Sequence, residues 1–181
     1  MGKFLAFVLI ASSLLIGGGI YYAQVYAYYE TVTLSDDPDT PFTTQILLTR
    51  QADQTAEPIR VSDFEGIDAT SSPLRFRGCF TIAKNPADLA ATYVAFEGSD
   101  PLIGPNWFDC YDAKTIGGDL EAGRATAYLS QSNITYGVDR VIAVYPDGRA
   151  YAWHQLNNCG TVVYSGKPAP EGCPPPPESS R

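Results

Sequence analysis

The chain is poor in the residues from which most active sites are built. A single histidine, His154, stands among 181 residues, so acid–base chemistry near neutral pH has one natural candidate. A nitrogen-and-sulfur metal site needs three or four ligands, which one histidine and four cysteines expected to be oxidised do not supply. No G-x-S-x-G elbow and no C-x-x-C occur, which argues against a serine-hydrolase elbow, a thioredoxin-type redox pair, a zinc ribbon and covalent haem attachment. Basic residues are scarce as well, 12 Lys and Arg against 20 Asp and Glu, for a net charge of -8. Such a surface repels phosphate backbones and anionic headgroups, and no basic run with interleaved aromatics offsets it, so nucleic acid is not an expected partner.

Charge is scarcest at the start. Before Glu30 the only charged side chain is Lys3, and the run Phe4 to Ala23 has neither charge nor proline. At 1.5 Å per residue that run spans roughly the 30 Å hydrocarbon layer. It predicts a transmembrane anchor over residues 4–28, with residues 1–3 on the cytoplasmic side and the lipid bilayer as the first partner. Lys3 marks the inner end, and Tyr21, Tyr22, Tyr26, Tyr28 and Tyr29 crowd the other, as amphipathic rings do at headgroup level. A cleaved signal peptide competes, because Val25-Tyr26-Ala27 has the form of a cleavage motif. The apolar stretch is longer than the roughly 7–15 residues of a signal core, however, and tyrosines fill the cleavage zone. Within the anchor, Ser13 and Gly17 lie four apart and Gly18 and Gly19 follow, which permits close approach of a partner helix.

What remains is enough for one domain, placed at residues 29–166 ahead of a proline-rich tail at 167–181. With 45% apolar residues, 12 Tyr and 8 Phe, a packed core is expected. All four cysteines, Cys79, Cys110, Cys159 and Cys173, fall in the part placed outside, where disulfides persist. Of the three possible pairings, Cys79 with Cys110 and Cys159 with Cys173 is favoured, since each closes a moderate loop and the second pins the tail.

The pattern predicts an α+β domain, one antiparallel sheet with one or two short helices on one face. Strands are expected at Glu30–Leu34 and Thr43–Thr49, separated by the turn Ser35-Asp36-Asp37-Pro38-Asp39, with polar connections at Gln51–Glu57 and Asp68–Pro73. Leu74–Ile82 alternates, with Leu74, Phe76, Phe80 and Ile82 on one face and Arg75, Arg77, Cys79 and Thr81 on the other. Asn85-Pro86 caps a short helix through about Ala91. Trp107–Tyr111 predicts a buried strand, and Gly117-Gly118-Asp119 a helix capped by Asp119, with Ala122, Ala125 and Leu129 at helical spacing. The firmest signal is Val141–Tyr145 and Ala150–Leu156 joined by Pro146-Asp147-Gly148, a hairpin apolar on both sides and so central to its sheet.

Candidate ligand contacts are Arg75, Arg77, Trp107, Asp109 and His154. His154 faces Arg140 across the hairpin, a position that suits a structural donor as well as a base. Arg75 and Arg77 flank Cys79 on one strand face, where they hold a carboxylate or, with a free thiol, lower its pKa. Asp109 and Asp112 beside Trp107 and Tyr111 have the residue types of a sugar site. Carboxylates at Asp36–Asp39 and at Asp100 match no EF-hand loop. Asn133-Ile134-Thr135 has the form of a glycosylation acceptor. No catalytic, cofactor or metal residues are assigned.

Three segments together resemble a family: Met1-Gly2-Lys3-Phe4-Leu5, the triplet Gly17–Gly19 running into Tyr21–Tyr29, and Tyr145–Trp153 ahead of Cys159. The chain is similar over nearly its whole length to a set of membrane-anchored alphaproteobacterial proteins, a domain of unknown function. The resemblance implies an inner-membrane protein facing the periplasm and carries over no catalytic residues. A kinase reading fails because there is no glycine-rich phosphate loop. The expected role is a noncatalytic accessory, scaffolding or assembly factor of an envelope complex, with other envelope or membrane proteins as partners. The alternatives are a module binding a peptide, glycan or cation, and an envelope hydrolase acting through His154.

Overall fold

The computed structural model describes residues 2–36 and 42–178. Asp37, Pro38 and Asp39 of the expected turn lie outside the described residues, as does the end of the tail. Helix α1 (Gly2–Tyr22) leads into a π-helical turn, Ala23–Ala27. Together they make one apolar helix of 26 residues, none of it buried, long enough to cross a membrane.

Among the described residues nine strands follow: β1 (Glu30–Leu34), β2 (Thr43–Thr44), β3 (Leu47–Thr49), β4 (Ala56–Pro58), β5 (Val61–Asp68), β6 (Arg77–Ile82), β7 (Thr126–Thr135), β8 (Val138–Val144) and β9 (Arg149–Leu156). Three short helices are interspersed, α2 (Pro86–Thr92), α3 (Ala113–Glu121) and α4 (Asn158–Tyr164). Seven strands form one sheet in the order β2-β1-β5-β6-β9-β8-β7, antiparallel except for β1 with β2, while β3 and β4 pair separately. The domain is therefore α+β, as expected.

The β8–β9 hairpin has the expected register, Val141 opposite Trp153 and Ile142 opposite Ala152, closed by Tyr145 N–H to Arg149 O at 2.9 Å. It lies inside the sheet with apolar residues on both faces. On one face Phe76, Phe80, Ile142 and Ala152 pack with Leu48, Ile59 and Leu89. On the other Ile67, Cys79, Val141 and Trp153 pack with Phe108, Tyr111 and Ile116. Leu89 belongs to α2 and Ile116 to α3, so the helices cover both faces and not one. The β3–β4 hairpin shares the α2 side. A sheet with two apolar faces must cover each of them, and one layer of short helices covers only one.

Several elements depart from expectation. The strand expected over Leu74–Ile82 begins at Arg77, because the 72–75 stretch is a turn closed by Arg75 N–H to Ser72 O at 3.3 Å. Thr43–Thr49 is two strands in two sheets, broken where the Ile46 carbonyl accepts Ile59 N–H. The connection after Gln51 ends early, since Ala56 already pairs with Thr49.

Trp107–Tyr111 is not a strand. Phe108 N–H bonds Pro105 O and Tyr111 N–H bonds Phe108 O, so the segment is a pair of turns with Phe108 and Tyr111 buried and Asp109 exposed. Helix α3 ends where a helix was expected to open. Its cap is Asp112, whose carboxylate accepts from Lys114 and Thr115 N–H, and Gly123 at φ 68° lies just past its end. Asp119 instead accepts from the Tyr145 hydroxyl at 2.6 Å and from Arg124. Leu129 sits in β7.

Both expected disulfides are formed, Cys79–Cys110 and Cys159–Cys173. The second ties α4 to the proline-rich tail, in whose described residues there is no strand or α-helix.

Candidate functional site

The domain is bonded to the end of the apolar helix. The last turn of a helix leaves carbonyls without intrahelical partners, and two of those in the Ala23–Ala27 turn are taken by the domain. Trp107 Nε1–H donates to Val25 O at 2.7 Å, and the Arg75 guanidinium donates to Gln24 O at 2.9 Å. Rings close the junction. Tyr29 meets Trp107 edge-on at 5.7 Å and lies under Arg75 at 5.3 Å, while Tyr26 stacks toward Trp107 at 6.5 Å. Two of the five candidate ligand contacts, Arg75 and Trp107, are thus occupied by the chain's own juxtamembrane segment. Tyr29 and the carbonyls of Gln24 and Val25 escaped the sequence reading, which assigned that tyrosine cluster to lipid headgroups.

Arg77 is buried on the second face of the sheet. Its guanidinium donates to the carbonyls of Leu102, Leu74, Phe76 and Ile103 at 2.6–2.9 Å and lies over the Tyr111 ring. Burial pushes it below the ordinary arginine value. Four of its five N–H groups are spent on backbone, so it fastens the 102–103 loop to β6. Cys79 beside it is disulfide-bonded, which removes the reactive-thiol reading.

His154 lies on the opposite face from Arg77. Its Nδ1 is 2.7 Å from Pro73 O, and because a carbonyl only accepts, that nitrogen carries the proton. Nε2 then accepts from Arg140 Nε at 2.9 Å. Both nitrogens are engaged, and the ring stacks on Phe76 at 4.8 Å, with the Arg140 guanidinium 4.2 Å from that same ring. Arg140 also donates to Thr44 Oγ1 and Gln45 O. The expected pairing of His154 with Arg140 is present, in a packed core position without a free nitrogen to serve as a base.

Desolvation, and next the Arg140 charge, push His154 down to about 3. Burial also lowers Arg140, to about 10, still charged at neutral pH. An unfolded histidine titrates near 6.5, so between that value and about 3 the unfolded state holds a proton that the folded state refuses. Stability therefore falls as the pH drops through 6.5, by about 2 kcal/mol between pH 7 and pH 5. Urea unfolding of wild type and His154→Gln at both pH values checks this. The variant should lose most of that pH dependence while the carboxylate contribution, common to both, cancels.

A model of a family of unknown function, DUF6446, matches residues 46–174. The chain belongs to that family. The DUF6446 match begins at the residue before β3 and ends just past Cys173, so it takes in both disulfides, strands β3 to β9, Arg75, Trp107 and His154, and leaves α1, β1 and β2 outside. No curated protein and no solved structure matches the chain.

The five candidate contacts do not converge within the DUF6446 domain. Arg75 and Trp107 meet at the helix junction, Arg77 is committed to four carbonyls, His154 is on the far face, and Asp109 is exposed on the turn before Cys110. Asp109 and Asp112 share a shallow hollow with Lys114, but Asp112 is committed to capping α3 and Trp107 is not in its wall. Asn133 has its amide oxygen engaged by Gly137 N–H at 3.0 Å and by Asn157. Among the described residues no three His, Cys, Asp or Glu side chains gather as metal ligands. On α1, Ser13 bonds Leu9 O within its own helix, and a side chain at Gly17 would meet open space.

Proposed function

We propose that this chain is a single-pass inner-membrane protein holding a noncatalytic domain on the extracytoplasmic side. There it serves as an accessory, scaffolding or assembly factor of an envelope complex. The observation that carries the reading is the junction. Residues 24 and 25 are hydrogen-bonded to Arg75 and Trp107 of the domain, so a cut at Val25-Tyr26-Ala27 would divide a packed unit. Proteases favour exposed, flexible chain, and this turn is helical and bonded, which favours retention of the anchor over its removal. Two disulfides in the domain suit an oxidising compartment. His154, the one natural base, has both nitrogens engaged. The small-residue face of α1 at Ser13 and Gly17 is covered by none of the described residues and suits a partner helix.

Affinity purification of the full chain in mild detergent tests the role. The expected result is a carbonate-resistant membrane fraction yielding stoichiometric partner proteins. A monodisperse monomer without partners would sink the accessory role, and a freely soluble species with four reduced thiols would sink the placement as well.

A further inference from the structure

We infer that the uncharged loop from Pro101 to Phe108 is a second membrane contact, seated among the lipid headgroups beside the end of α1. It rests on the reading of α1 as a retained anchor and adds to it the attitude of the domain. The loop, Pro-Leu-Ile-Gly-Pro-Asn-Trp-Phe, has no charge and is bracketed by Asp100 and Asp109.

Both ends of the loop are fixed. At the start, Arg77 grips the carbonyls of Leu102 and Ile103 at 2.8 and 2.9 Å. Ile103, 84% exposed, is thereby held out on a braced backbone. A lone exposed isoleucine is ordinary on a protein surface, but this one shares its loop with Trp107, which is 38% exposed and bonded to Val25 O.

Val25 fixes the level. The apolar run of α1 gives out at Ala23, so residue 25 stands at the hydrocarbon boundary, where Trp and Tyr concentrate. The exposed rings of Tyr21, Tyr22 and Tyr26 surround the same level. Arg77, which braces the start of the loop, stands two residues after Arg75, which holds Gln24 O, so the start of the loop is fastened next to the junction and its end is bonded to it. A lipid surface is the occupant because the loop continues the membrane-facing end of α1 and offers no charged group to a protein partner. An acidic domain also disfavours anionic lipid, so the headgroups it suits are zwitterionic.

The test uses the full chain in phosphatidylcholine vesicles with and without lipid brominated on its acyl chains. Trp107 and Trp153 are the two tryptophans, and Trp153 is fully buried in the domain. Bromolipid should quench Trp107 emission, and Trp107→Phe should abolish that loss. In the Trp107→Phe background, Ile103→Trp places a reporter at an exposed position, and its emission should shift to the blue on vesicle binding and again be lost to bromolipid. If the chain floats with vesicles but Ile103→Trp stays unquenched, the loop contact is wrong and the anchor stands. If the chain does not float, the anchor reading fails and the inference falls with it.

Discussion

Gly160→Ala should cost the domain about 3–5 kcal/mol, among the largest losses of any single methyl added to this chain. Gly160, in the first turn of α4, lies against Gly137, the turn residue between β7 and β8. A Cβ on Gly160 would stand 2.2 Å from the Gly137 carbonyl oxygen and 2.9 Å from its carbon. Those atoms are backbone and cannot swing aside as a flexible side chain would. Gly137 is held at φ 73°, and its N–H and carbonyl are engaged by Asn133 Oδ1 and Asn157 N–H. The Asn157 side chain in turn caps α4 through Gly160 N–H at 3.0 Å. Relieving the clash therefore means lifting α4 off the sheet and losing its cap. Gly118→Ala is the control. It lies inside α3 with open space around it and should stabilise by up to about 1 kcal/mol through helix propensity. Urea denaturation of both variants in mild detergent separates the effects.

The sequence made legible those features where local chemistry and tertiary packing agree. The β8–β9 hairpin is the clearest case, since its proline–aspartate–glycine turn fixes a register that puts apolar residues on both faces, and the sheet has apolar partners for both. Helix α2 is similar, with Asn85 capping Ala87 N–H at 2.9 Å just ahead of Pro86. Strand β5 was invisible for the opposite reason. Val-Ser-Asp-Phe-Glu-Gly-Ile-Asp is poor in β-formers, and a register shift between Ser62 and Glu65, with Asp63 at φ 53°, breaks its alternation. Only its place between β1 and β6 makes it a strand. At Gly117–Leu129 the helical spacing of Ala122, Ala125 and Leu129 misled, while Asp112 at the start and Gly123 at the end marked the true helix.

The candidate site was legible as a set of residues and not as an arrangement. Arg75 and Arg77 were assigned to the same face, and both turn out to hold backbone carbonyls. Which carbonyls they hold depends on the helical turn at Ala23–Ala27 for Arg75 and, for Arg77, on the turn at 72–75 and the loop at 102–103, and none of these has a periodic signature. His154 carried a local clue in its position opposite Arg140. The contact of its Nδ1 with Pro73, 81 residues away in sequence, did not.

Replacing Cys79 and Cys110 together by alanine should cost about 3–4 kcal/mol, by the entropy that cross-linking a loop of this length removes from the unfolded chain. The bridge spans 31 residues. It clamps the 105–112 turns onto β6, beside the Arg77 grip on Leu102 and Ile103, so one stretch of irregular backbone is held from two directions. Trp107 lies three residues before Cys110, and its bond to Val25 depends on that clamp. Loss of the bridge should therefore unfasten the junction as well as lower stability, and Trp107 emission should shift to the red in folded protein well below the unfolding midpoint. The Cys159–Cys173 bridge, with a separation of 14, gives the contrast. Its removal should cost about 3 kcal/mol on the same reasoning, but it ties α4 to the tail, and Trp107 should keep its wild-type emission. If both pairs of substitutions shift Trp107 alike, the 105–112 turns are held by packing alone, and the disulfide is not what couples the sheet to the helix end.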